Sequence, residues 1–232
     1  MVETYISFVH NHLIPCIAVF TTLIPLFLIW YRRAYIDPSF LFLLEYLIFK
    51  LVIDLVMFHY ASLRTNNILF YNICVPVRYA LLSAMFYHKF EVKKFKKSIL
   101  YAIVGFTFFS FWDIFRSNPD ISDLHNHNMV AYATTLESFL MLFWTLLYFY
   151  ETINTLKIPN LLTFPFFWVC SGILLYYSSF IFIAPVLHYT EKWKDPLELG
   201  FLEKVPYIFE TVSLILFSVG IWIFSKRYYA KQ

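Results

Sequence analysis

The chain has 232 residues, of which 60% are hydrophobic, 22% aromatic and only 14% charged, with a formal net charge of +3. A water-soluble domain of this size has too little interior to hide that much apolar surface, so a soluble enzyme, a disordered chain and a nucleic-acid-binding module are all excluded as classes. The pattern predicts one all-α domain over 1–232, a polytopic seven-transmembrane-helix bundle. Its seven apolar runs each approach the roughly 20 residues that cross a bilayer core as a helix.

The first predicted span, 8–30, carries Pro15, Cys16 and Pro25. No basic segment precedes it and no small-residue cleavage site follows it, which makes it a retained helix rather than a leader. The second, 40–60, contains Glu45, Lys50 and Asp54. Lys50 and Asp54 are four residues apart and share one helical face, where they can pair. The third, 68–87, contains Asn72, Cys74, Pro76 and Arg78. A basic tract with Lys89, Lys93, Lys94, Lys96 and Lys97 follows, placed to meet anionic lipid headgroups. A cytoplasmic protein partner is the alternative for that tract.

The fourth span, 98–115, ends near Asp113, and the loop after it reads Asp123-Leu124-His125-Asn126-His127-Asn128. Imidazole and carboxylate together bind divalent cations, so His125, His127 and Asp123 form a candidate metal site, the alternative being a solvated rim. The fifth span, 129–151, contains Thr134, Glu137 and Ser138; the sixth, 164–189, contains Cys170 and Tyr176. The seventh, 207–225, has Glu210 and no lysine before Lys226, so no retinal is expected. All three cysteines fall within spans, as buried thiols rather than a disulfide framework. Only four glycines are present, so helix contacts through small residues are expected to be rare.

Lysine and arginine in the short connections set the expected orientation. One side holds Arg32, Arg33, Lys89, Lys93, Lys94, Lys96, Lys97, Lys157, Lys226, Arg227 and Lys231, against Arg64, Arg116, Lys192, Lys194 and Lys204 on the other. The richer side is cytoplasmic by the positive-inside rule, which puts the N-terminus outside and the C-terminus inside.

Ionisable residues inside spans are costly, turn inward and mark functional sites by default. Counting about 1.5 Å per residue puts Arg78 and Glu137 at a common depth of roughly 12–15 Å, which predicts an ion pair between them. Lys50 and Asp54 reach the same zone. A polar centre of Lys50, Asp54, Arg78 and Glu137 is therefore expected, with Asn72 and Tyr176 lining it. Asp113 and Glu210 are expected near the outer boundary, reaching water.

Three stretches carry a family resemblance. They are Asn66-Asn67 with Leu69-Phe70-Tyr71-Asn72-Ile73-Cys74-Val75-Pro76; Thr135-Leu136-Glu137-Ser138-Phe139-Leu140 with Tyr148-Phe149-Tyr150; and Pro165-Phe166-Phe167-Trp168 with Gly172-Ile173-Leu174-Leu175-Tyr176-Tyr177-Ser178-Ser179. The chain resembles a family of small, uncharacterised seven-helix membrane proteins of Bacteroidota bacteria. The resemblance implies a bacterial inner membrane and supplies no activity. That family often has an acidic residue two positions after the proline of the third helix, where this chain has Arg78.

The expected function is a non-enzymatic membrane sensor or signalling subunit. Its polar centre takes a small ligand or proton, and a membrane or cytoplasmic partner, or a homo-oligomer, receives the output. A transporter or channel for a small solute or ion, and a metal-dependent enzyme acting on lipid, are the alternatives.

Overall fold

The computed structural model describes residues 5–6, 9–10, 12–120, 126–155, 160–192 and 204–224, with backbone alone at 184, 185 and 187–192. The described chain is helical, with no strand among the described residues. Seven long helices follow one another: α1 Leu13–Arg32, α2 Pro38–Ser62, α3 Ile68–Lys89, α4 Lys93–Ser117, α5 Ala131–Asn154, α6 Pro165–Lys192 and α7 Val205–Ile223. α2 packs on α3, α3 on both α4 and α5, α5 on α6, α6 on α7, and α1 folds back onto α7.

Five of these helices (α1, α3, α4, α6 and α7) are long and apolar enough to cross a membrane. α2 has the length, but every 18-residue stretch of it contains Glu45, Lys50 and Asp54. α5 is diluted by Glu137, Glu151 and several threonines and serines. The charges that lower the apolarity of these two helices are, with the exception of Glu45, the ones that find partners inside the bundle.

Local chemistry sets the helix ends. α1 breaks at Thr22 because Pro25, three residues on, has no N–H for the Thr21 carbonyl. Thr22 accommodates the break with a backbone bond to Val19 O at 3.2 Å. α2 starts at Asp37-Pro38, where the Asp37 carboxylate accepts the Ser39 N–H at 2.8 Å and proline occupies the first turn. Two other helix starts are capped from neighbouring helices. Asp113 of α4 accepts the Ala133 N–H of α5 at 2.7 Å. Glu151 of α5 accepts the Glu91 and Val92 N–H groups, just ahead of α4, at 3.2 and 3.0 Å. A carboxylate at a helix N-terminus answers both the orphan amides and the macrodipole.

Two expectations are corrected here. α4 begins at Lys93 rather than 98, so most of the basic tract is helix; Lys93, Lys94 and Lys97 are exposed on it. The second concerns glycine. α6 and α7 approach through two of the four glycines: a Cβ on Gly220 would stand 2.5 Å from the Pro165 carbonyl oxygen, and one on Gly172 would stand 2.8 Å from the Phe217 ring. The backbone oxygen has no rotamer to move into. Gly220→Ala is therefore expected to cost about 1–3 kcal/mol, measured as a lower unfolding midpoint in detergent. Gly105→Ala, with open space around the position, should show no loss.

At the 33–37 end of the bundle, six buried rings form one continuous layer. Phe224 packs on Phe40 at 5.3 Å between centroids, Phe40 on Phe166 at 6.4 Å, and Phe166 on Tyr148 and Phe86 at 5.0 and 5.8 Å. Phe90 closes on Tyr148 at 5.9 Å. Most of these contacts are edge-to-face, the arrangement that ring quadrupoles favour. α2, α3, α5 and α6 and the residues just beyond α3 and α7 all contribute, so the layer ties four helices together at this end.

Candidate functional site: a charge-paired polar centre

Above the aromatic layer, toward the 62–68 end, lie two charge clusters. In the first, Arg78 of α3 meets Glu137 of α5 with both forks engaged: Nε donates to Oε1 at 2.7 Å and Nη2 donates to Oε2. Two parallel bonds of this kind match the planar edge of the guanidinium to the carboxylate. The Tyr177 hydroxyl of α6 donates to the same Oε1 at 2.8 Å. Glu137 is wholly buried. The Arg78 guanidinium also lies 5.8 Å from the centre of the Tyr71 ring. The helix–helix pairing predicted from depth alone is the one observed.

In the second cluster, Lys50 of α2 is held between two carboxylates, Asp54 one turn on and Glu210 of α7. Their side-chain exposures are 11% for Lys50, 23% for Asp54 and 17% for Glu210, so the triad is partly open. A small cavity adjoins it, lined by Tyr46, Lys50, Tyr176, Tyr177, Glu210 and Ser213 among others, with room for about one water molecule. Tyr176 and Tyr177 face both clusters, so α6 joins the two into one centre.

Several sequence-based placements change. Glu210 does not simply reach water at the rim; it is the second carboxylate on Lys50. α7 starts two residues earlier than expected, and the four-carbon stem of Lys50 carries its ammonium toward that helix. Asp113 is buried and caps α5. Tyr176 lines the cavity, but its neighbour Tyr177 makes the bond to Glu137. One residue is about 100° of helical turn, a difference that the depth argument could not resolve.

Asn72 does not line the centre. Its side-chain N–H donates to Asn128 O at 2.9 Å and its oxygen accepts the Val130 N–H at 3.1 Å. Asn118 joins the same loop through its oxygen, which accepts the Asn128 N–H at 2.7 Å. These asparagines satisfy the irregular backbone ahead of α5, which has no helical partners of its own. Glu45 is exposed and takes no part in the centre.

Of the candidate metal ligands, Asp123 and His125 lie outside the described residues. His127 is buried, and its carbonyl accepts from the Asn66 side chain at 3.1 Å. Among the described residues, no three His, Cys, Asp or Glu side chains gather as a cation site would need. Lys89 is also corrected: it is half-buried in an ion pair with Asp37, its ammonium 5.3 Å from the Phe166 ring centre, and is not free for headgroups. Cys16, Cys74 and Cys170 are buried thiols, as expected.

The fold and the centre together define a helical bundle of membrane-protein character with a charge-paired interior. Compared with known proteins, the chain matches no family model, no curated protein and no solved structure.

Proposed function

We propose that the chain is a seven-helix integral membrane protein that senses a proton, or a polar ligand no larger than water, at its charged centre. The observation that carries this is an asymmetry. The Lys50 triad is partly open and adjoins a cavity with room for about one water, whereas six buried rings pack against one another on the other side of the centre. A partly open site backed by packed rings supports binding over conduction. A transporter or channel needs a polar path through the layer or a second conformation that opens it.

The orientation proposed is N-terminus outside, with the centre filled from the outer face and the exposed Lys93, Lys94 and Lys97 at the inner face. Those lysines meet anionic headgroups or a partner that receives the output. The resemblance carried by α3, α5 and α6 implies a bacterial inner membrane as the setting of this proposal.

Output follows from helix coupling. Lys50 links α2 to α7, and Glu137 links α3, α5 and α6, so a change of charge at the centre changes contacts among five helices. Purified protein in proteoliposomes tests the proposal. Acidifying the outside should alter hydrogen exchange in the 90–97 segment without moving protons inward across the vesicle. Steady proton or solute flux in the absence of a partner would replace the sensor with the transporter.

A further inference from the structure

Two cations and three carboxyl groups meet at the centre: Lys50 and Arg78 against Asp54, Glu137 and Glu210. Glu137 is matched by Arg78 in a two-pronged pair, which leaves Lys50 alone facing two carboxyls. Fully ionised, this centre carries one uncompensated negative charge on groups that are largely, though not wholly, withdrawn from solvent, a state that proteins relieve by pairing or neutralising the group.

Among the described residues, the surrounding groups offer no further positive charge. Tyr46 of α2, Cys74 of α3, Tyr176 of α6 and Tyr207 of α7 face the triad and are neutral or acidic; Arg78 is committed to Glu137; and α1, packed on α7, brings the buried thiol of Cys16. The adjoining cavity has room for about one water.

We propose that Asp54 and Glu210 together hold one resident proton at neutral pH, with Lys50 bound as the ammonium between them. The triad then reads as one cation, one carboxylate and one neutral acid. The proton exchanges through the cavity beside Ser213 and Tyr46 and is held jointly by α2 and α7. This deepens the sensing proposal and rests on it for its biological meaning, since it names the proton as the thing sensed.

Infrared spectroscopy of the full chain in nanodiscs tests it. At neutral pH the wild type should show the C=O stretch of a protonated carboxyl, shifted in D2O. Glu210→Gln and Asp54→Asn should each abolish that band, because the remaining carboxylate is matched by Lys50. Lys50→Met should roughly double it, because both carboxyls then take a proton. A wild type with no such band overturns the inference, as does a band that survives both single variants or one displaced by adding sodium. A band that behaves as expected, in a protein whose hydrogen exchange ignores external pH, keeps the proton site and removes the sensor.

Discussion

Arg78→Met is expected to destabilise the bundle by about 3–5 kcal/mol, the usual consequence of leaving one partner of a buried ion pair alone. Glu137 is wholly buried and takes both forks of Arg78, so nothing else in its surroundings replaces them. The Tyr177 hydroxyl would remain as a single neutral donor. The double variant Arg78→Met, Glu137→Met should recover most of the loss, since it removes the uncompensated charge along with its partner. Thermal unfolding in detergent of the two single variants and the double variant closes a cycle that isolates the pair. A double variant whose loss equals the sum of the two single losses would show no coupling, so that packing, not the charge pair, is what Arg78 contributes.

Asp37→Ala is expected to approach that loss from the 33–37 end of the molecule. Asp37 does two things: it accepts the Ser39 N–H that starts α2, and it pairs with Lys89, whose ammonium lies against the Phe40 and Phe166 rings. Losing the cap costs about 1 kcal/mol; removing the carboxylate that pairs with Lys89 beside the Phe40 and Phe166 rings adds up to about 3–5 kcal/mol. Asp37→Asn keeps an acceptor for Ser39 and removes the charge, so its shortfall in unfolding midpoint measures the ion pair by itself. Adding Lys89→Met to Asp37→Ala should leave only the cap deficit.

Much of the helix layout was legible because hydrocarbon thickness fixes the length of an apolar run, and the turns at Asp37-Pro38 and Asn66-Asn67 mark its ends. Arg78 and Glu137 were legible for a related reason: rise per residue turns sequence position into depth, and two opposite charges at one depth seek each other. Rotation about a helix axis was not legible. Tyr176 and Tyr177 differ only in azimuth, and azimuth is set by contacts between helices. Lys89 sat in a run of lysines and looked like its neighbours. Only the fold shows that it alone turns inward, because Asp37, fifty-two positions earlier, caps a helix beside it. Glu210 was hidden by reach, since the length of the Lys50 side chain spans a gap between helices that backbone depth does not reveal. Gly172 and Gly220 were too few to form a visible pattern, yet both sit where α6 and α7 approach.

The six-ring layer bears on how membrane voltage would act. An elementary charge moved through the whole field gains about 2.3 kcal/mol per 100 mV, but a charge moved through only part of the field gains only that part. Phe40, Phe86, Phe90, Tyr148, Phe166 and Phe224 put a stretch of packed rings, with the Lys89–Asp37 pair beside it, between the Lys50 triad and the 33–37 end. In the membrane orientation proposed above, potential would drop more steeply across those rings than across the partly open triad. A proton entering from the open side would feel little of it, and occupancy of the site would follow the acidity of one compartment with little interference from the electrical state of the membrane.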